Sequence, residues 1–178
     1  MDRKAQLSFE TIIIYGLIIV VVTLAVGALV YFGVLDLGRL LPEKCNAGAP
    51  MVCETYQITT TTGEEVKLEI RNKAGKRINY KTGTVLMGAD DWLGTDCNLT
   101  SVAVGTGTPD ESPDVNGMFA AATVGIDETA VLTFDCANKF ANAETQRYKA
   151  TMTLEYQAVG SSLAQRVTGQ LFAAISAP

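Results

Sequence analysis

The 178-residue chain contains no histidine and only one tryptophan, and its positive charge is sparse. Without histidine it lacks the commonest general base and the commonest metal ligand, so Ser–His and Cys–His catalytic arrangements are excluded. The 14 Lys and Arg residues are outnumbered by 19 Asp and Glu residues, which gives a net charge of −5. A nucleic-acid-binding surface needs a basic face, and none is therefore expected.

Catalytic motifs are missing as well, since the sequence has no nucleophile motif, phosphate-binding loop or metal signature. Asp90 and Asp91, which precede Trp92, form the best pair of carboxylates. Adjacent residues of a strand point to opposite faces, so these two acids would not converge on one substrate. A turn with a half-buried tryptophan is the simpler interpretation. We therefore expect no enzymatic activity, no catalytic residue and no cofactor.

Charge is absent altogether from residues 11–35, where Ile, Val and Leu predominate. A helix of this length rises about 37 Å, which exceeds the hydrocarbon core of about 30 Å. Arg3 and Lys4 precede the segment, so the N-terminus is expected to stay cytoplasmic and the rest of the chain to lie outside. The segment is too long for an ordinary secretory signal. A single-span membrane protein with an external domain is the plain interpretation.

The four cysteines, Cys45, Cys53, Cys97 and Cys136, all follow the apolar segment. An even number of cysteines in an exported domain predicts two disulfides, for which three connectivities are possible. We favour the pairing of neighbours, Cys45 with Cys53 and Cys97 with Cys136. A zinc site built from all four thiolates is the alternative, but no C-x-x-C pair supports it.

The residues around the start of the apolar segment form a motif. The stretch KAQLSFETIIIYG resembles the class III signal peptide of archaeal type IV pilin-like proteins. The pattern of that family is Q-x-S-x-E followed by a long apolar helix, and Gln6, Ser8 and Glu10 match it. The resemblance covers roughly residues 1–53. It implies that a prepilin peptidase cuts between Ala5 and Gln6, which makes Glu10 the fifth residue of the mature chain.

The resemblance implies a pilin, the structural subunit of a cell-surface filament that serves adhesion. The helix would first lie in the lipid of the cell membrane, and an assembly ATPase and a membrane platform would then transfer it into a helical homopolymer. There Glu10 could face the amino group of Gln6 in a neighbouring subunit. The simpler interpretation places Glu10 at the lipid headgroups near the helix N-terminus. The alternative function is a membrane-anchored extracellular binding protein that does not polymerise.

Three parts are thus expected: a signal peptide at residues 1–5, a hydrophobic helix at 6–41 and a head at 42–178. In the head the hydrophobic period changes to two, as in Val66, Leu68 and Ile70, which predicts strands. Strands are expected at residues 64–72, 128–136, 148–158 and 166–175, and also at 82–89 and 118–124. Short strands of this kind predict an α+β protein with an antiparallel β-sandwich or barrel head. The heads of the family are similar to immunoglobulin-like sandwiches.

Two further features of the head concern modification and metal binding. Asn98 begins an Asn-Leu-Thr acceptor sequence, and we expect it to be glycosylated on an exported head. The loop at residues 105–117 carries closely spaced oxygen-bearing side chains, for which calcium binding is conceivable. Its spacing fits no EF-hand, so we expect a solvated loop and no metal site. The oxygen-bearing residues are Asp110, Glu111, Asp114 and Asn116.

The motif predicts the N-terminus of the native protein. Cleavage before Gln6 removes one Asp, one Arg and one Lys, so Lys and Arg fall from 14 to 12, Asp and Glu from 19 to 18, and the net charge from −5 to −6. N-terminal sequencing and intact mass of the protein from its own cells are expected to give a chain that begins at Gln6. A mature chain that begins at Met1 or Asp2 would exclude this processing.

Overall fold

A computed structural model describes residues 3–32, 42–60, 64–88, 96–136, 140 and 147–175. The chain divides between Pro42 and Glu43 into two compact units. The first contains one helix, α1, which runs from Arg3 to Tyr31. The helix is thus present where the sequence predicts it. Residues 33–41, over which it was expected to continue, lie outside the described residues.

The second unit, the head, is an antiparallel sheet of nine strands. The hydrogen-bonded order is β1-β9-β8-β5-β6-β7-β3-β2, and β4 pairs with β8 beside β5. Their bounds are Lys44–Asn46 (β1), Met51–Ile58 (β2), Glu65–Asn72 (β3), Ile78–Tyr80 (β4), Val85–Gly88 (β5), Asp96–Val104 (β6), Thr129–Asp135 (β7), Arg147–Ala158 (β8) and Ala164–Ala174 (β9).

The two ends of this strand order meet, so the sheet is nearly closed into a barrel. The disulfide Cys45–Cys53 joins β1 to β2. Glu43 bridges the same gap, because its carboxylate accepts hydrogen bonds from the Tyr56 hydroxyl on β2 and, at 3.3 Å, from the Ala174 amide on β9. We call this junction of β1, β2 and β9 the seam. It ties together the two strands that would otherwise be open sheet edges.

The α+β class, with an apolar helix before an antiparallel head, is confirmed. The described strands form one continuous hydrogen-bonded path. A division of that path into the two sheets of an immunoglobulin-like sandwich stays a prediction.

Most of the predicted strands are present, but one is absent, and β1, β2, β4 and β6 were not predicted. Five of the six predicted segments contain a strand, namely β3, β5, β7, β8 and β9. The predicted strand at 118–124 is wrong, because Met118 and Val124 form only isolated bridges. Between them the Ala121 amide donates to the Asp110 carboxylate at 3.0 Å, so a side chain takes a backbone donor that a strand would use in a ladder.

The core of the head follows from the alternation of the strands. Val66, Leu68 and Ile70 are all fully buried, as their period of two predicts. Burial of such a side chain stabilises a fold by about 1.5–3 kcal/mol. Phe140 and Tyr148 pack together in this core, and their rings meet edge-on at 5.0 Å. Cys97 and Cys136 are fully buried in the same core and form the second disulfide.

One buried polar side chain, Asn72 at the end of β3, holds two loops together. Its amide nitrogen donates to the carbonyls of Lys76, at 2.7 Å, and Gly125, at 2.8 Å. Its side-chain oxygen accepts from the Ala74 amide at 2.9 Å. The residue is 0% exposed, so these groups have no access to bulk water. Asn72 therefore connects the turn after β3 to the segment before β7.

We expect Asn72→Ala to destabilise the head by about 2–4 kcal/mol, because it leaves buried carbonyl groups without a donor. Urea unfolding of the detergent-solubilised chain, followed by near-ultraviolet circular dichroism, measures the change. Gln170→Ala on the exposed face of β9 is the matched control and should stay within about 0.5 kcal/mol of the parent. Equal effects of the two substitutions would contradict this role.

Candidate assembly surface and modification site

Between Thr11 and Tyr31 the surface of α1 is apolar on every side. Every described side chain from Thr11 to Phe32 is exposed, and even the bulky Leu24 is 69% exposed. The stretch Thr11–Tyr31, 21 residues, is long and apolar enough to cross a membrane. At about 1.5 Å per residue it spans about 31 Å, close to the thickness of a hydrocarbon core. Such a helix requires either lipid or other apolar helices around it.

Two details of α1 suit close packing in an apolar environment. The Thr23 hydroxyl donates to the Val20 carbonyl of its own helix at 2.9 Å, so it demands no outside partner. At Gly16 and Gly27 an added Cβ would meet nothing within 4 Å. Glycines of this kind let a neighbouring helix backbone approach closely. Gly33, the third glycine of the apolar segment, lies outside the described residues.

The predicted processing and assembly residues lie in the first turns of α1. Ala5, Gln6 and Glu10 all belong to its helical backbone. Gln6 and Glu10 are four positions apart, so they occupy one face of the helix, about 6 Å apart along its axis. After cleavage before Gln6, this face would therefore carry both the new amino terminus and the acid.

The four predicted disulfide cysteines are brought together in the pairing of neighbours, Cys45–Cys53 and Cys97–Cys136. No free cysteine is left, so a zinc site of four thiolates does not form. Two disulfides favour an oxidising, extracellular location for the head. Together with the apolar helix they support a membrane anchor or signal sequence followed by an external domain.

The seam beside Cys45 contains a hydrogen bond that sequence reasoning missed. Desolvation, together with the Glu43 carboxylate, raises the pKa of Tyr56 to about 12, so its hydroxyl remains a donor at any physiological pH. A single Glu two residues before a cysteine carries no sequence signal for such a role. Its partner, Tyr56, lies 13 residues further along the chain, and only the closure of the sheet brings the two together.

The glycosylation candidate, Asn98, lies inside β6. Its side chain is exposed, whereas Cys97 beside it is buried and disulfide-bonded. Asn98 lies opposite Val85 of β5 and Asp135 of β7. The Thr100 hydroxyl donates to the Thr133 carbonyl at 3.0 Å. The acceptor sequence is thus held in a rigid, extended form with the asparagine facing outward.

The loop at residues 105–117, which we call the acidic loop, is held in shape by hydrogen bonds to its own carboxylates. Asp114 accepts hydrogen bonds from the backbone amides of Asn116 and Met118, both at 2.8 Å. Asp110 accepts from the Ser112 amide at 3.2 Å and from the Ala121 amide. The described residues contain no group of three or more His, Cys, Asp or Glu side chains that could hold a metal ion. Asp110 and Asp114 therefore fasten the loop.

Asp90, Asp91 and Trp92 lie outside the described residues. No protein-family model matches the chain, and no curated protein sequence matches it significantly. Function must therefore be inferred from the residues themselves, above all from the helix surface and the motif that precedes it.

We expect Asp114→Ala to release the loop, because the amides of Asn116 and Met118 lose their shared acceptor. Their hydrogen exchange should quicken by about tenfold, whereas Asp114→Asn, which keeps an acceptor oxygen, should stay close to the parent.

These same backbone hydrogen bonds, Met118 first, hold the pKa of Asp114 below its usual range. The stabilisation is therefore present above the usual pKa of an aspartate and is lost as the pH falls through the lowered value. Unchanged exchange in Asp114→Ala would show that the carboxylate does not fasten the loop.

Proposed function

We propose that this protein is a pilin, the structural subunit of an archaeal type IV pilus-like filament, and that it polymerises through α1. The observation that carries the proposal is the apolar surface of α1, which is uncovered on every side from Thr11 to Phe32. A bundle of identical helices covers such a surface, because each copy shields the next. The separately folded head would then coat the outside of the bundle and provide surface attachment.

The motif at the N-terminus of α1 supports processing before assembly. A prepilin peptidase would cut between Ala5 and Gln6 and remove Arg3 and Lys4, the cationic groups that hold this end at the cytoplasmic face. With these charges gone, less electrostatic attraction opposes the transfer of α1 from lipid into a filament. An assembly ATPase and a membrane platform would drive that transfer.

Glu10 gives the assembly its register. An unpaired acid in the middle of a membrane costs about 2.5–3.5 kcal/mol. Pairing of Glu10 with a positively charged group would therefore be favourable. The amino group of Gln6 in a neighbouring subunit would supply that charge if the two copies are offset by the ~6 Å that separates positions 6 and 10 along α1. Pairing between copies would thus offset the cost of burying Glu10 and fix how far each helix is inserted.

The head would be the displayed part of the filament, and we assign it to the immunoglobulin-like kind. Support comes from its antiparallel strands, its alternating core and the buried disulfide Cys97–Cys136. Closure at the seam suits an exposed role, because it leaves fewer open edges for unintended strand pairing between neighbouring heads.

The second candidate function is a single-span, membrane-anchored extracellular binding protein. The observation that favours it is the 21-residue length of Thr11–Tyr31, which matches one passage through a bilayer. This function needs neither cleavage before Gln6 nor a pairing role for Glu10. The two functions therefore differ in measurable properties of the N-terminus.

Substitution of Glu10 tests polymerisation. Glu10→Ala is expected to leave export and head folding intact but to lower the yield of filaments at least about tenfold, as the loss of more than about 1.4 kcal/mol per interface would do. Electron microscopy and sedimentation of sheared surface material measure the yield. Glu69→Ala, which removes an outward-facing acid on β3, is the matched control and should assemble normally.

A normal filament yield from Glu10→Ala would remove the assembly role of this residue. The absence of filaments from the parent chain, with α1 retained in the membrane, would instead favour the anchored binding protein.

A further inference from the structure

A groove of about 460 Å³ lies on the outer face of the head. Its floor is formed by β3, β6 and β7, and its wall by the acidic loop and the start of the segment after it. The floor side chains Glu65 and Thr133 alternate with buried residues, so they point away from the core. The volume falls in the range of small-ligand sites, about 300–1,000 Å³.

The wall of the groove is preformed. Asp110 and Val102 exchange backbone hydrogen bonds of 2.8 and 3.1 Å, which attach the loop to β6. The Thr82 amide donates to the Gly117 carbonyl at 2.9 Å, which attaches the other end of the wall beside β5. Gly117 has a φ of +71° and its missing Cβ leaves room for the Thr82 side chain. The groove therefore does not have to form when a ligand arrives.

Among the described residues, the lining of the groove has six oxygen-bearing side chains beside Leu99, Pro113 and Phe119, and no cationic side chain. Hydroxyls and carboxylates of this kind hydrogen-bond neutral, hydroxyl-rich molecules. Of the two lining acids, Glu65 is already paired with the Lys67 ammonium at 3.0 Å. Ser101 is only 9% exposed. The oxygen-bearing lining residues are Thr82, Thr100, Ser101 and Thr133, with the acids Glu65 and Glu111.

Asn98 stands at the rim of this groove. Asp135 of β7 lies opposite Asn98 on one side and opposite Glu65, a groove residue, on the other. Two positions earlier on β7, Thr133 lies opposite Ser101. Glu65 is therefore two strand spacings from Asn98, about 10 Å. Thr100, another groove residue, is two residues along β6 on the same exposed face, about 7 Å from Asn98.

We propose that the groove seats the first sugars of a glycan attached to Asn98. A sugar is the neutral, hydroxyl-rich molecule that this lining accepts, and the acceptor sequence places one at the rim. A short tether raises the effective concentration of a ligand to the millimolar range, so weak hydrogen bonds suffice to hold it. The inference requires export of the head but not polymerisation, and it therefore stands apart from the pilin proposal.

The seated glycan should protect the wall of the groove. In protein purified from its own cells, amides of residues 111–117 are expected to exchange with solvent about two- to tenfold more slowly than in Asn98→Gln, which cannot be glycosylated. Thr100→Ser keeps the acceptor sequence and a hydroxyl and should behave as the parent. The turn at residues 73–77 is an internal control whose exchange should not change.

The state of the sugars can be read directly. Periodate oxidises the vicinal diols of sugars that it can reach. Sugars held in the groove should therefore react about two- to tenfold more slowly than the sugars of a glycopeptide cut from the same protein. Ser101→Phe fills the groove without touching the acceptor sequence, and its sugars should react at the glycopeptide rate. Thr133→Val, which replaces a lining hydroxyl by a methyl group, serves if Ser101→Phe fails to fold. It should also raise the rate of periodate oxidation.

Three results would overturn the proposal. The first is an intact mass without a glycan on Asn98. The second is a glycan whose sugars react as fast as those of the glycopeptide, with unchanged exchange in Asn98→Gln. The third is equal binding of free N-acetylglucosamine by the glycosylated parent and by Asn98→Gln, which would mean that the groove of the glycoprotein is empty. The N-terminus and the filament yield would be unaffected by any of them.

Discussion

The uncovered apolar surface of α1 sets the requirements for the rest of the chain. A helix with no polar face is unstable in water, so it must lie in lipid or in a bundle with other copies of itself. In either setting α1 is unavailable to complete the core of the head. The head therefore has to bury its own apolar residues, which it does with a nine-stranded sheet that closes on itself. The chain accordingly divides after Pro42 into a unit that requires lipid or other apolar helices and a head that folds in water.

The seam closes the sheet that encloses the apolar residues of the head. A sheet that is not closed presents two open edges, and open edges pair with other chains. In this head β1 has only three residues and is too short to build a long ladder with β2, so a disulfide and a side chain take the place of backbone hydrogen bonds. Both devices lie within a few residues of the point where the chain enters the head. The first residues after the helix thus close the fold that follows them.

The sequence predicted what depends on local pattern. Continuous apolarity identified α1, and alternation identified β3 and β8, because each burial pattern repeats within its own element. It missed β2, whose alternation is interrupted where the register shifts between Cys53 and Thr55. It predicted a strand over 118–124, because nothing local reveals that Asp110 binds the Ala121 amide. The roles of Asn72 and Glu43 were equally hidden, since each depends on residues that only the folded sheet brings near.

In several places of this head a polar side chain takes the hydrogen bond that a neighbouring strand would otherwise make. The acidic loop is one of these places. Asp110 and Asp114 direct their carboxylates at backbone amides, and the described residues assemble no group of three or more side chains that could hold a metal ion. By fastening the loop beside β6 and β7, Asp110 and Asp114 form the wall of a groove lined by further hydroxyls and carboxylates. The negative charge that suggested calcium in the sequence thus becomes, in the folded head, the means of building a surface suited to neutral ligands beside Asn98.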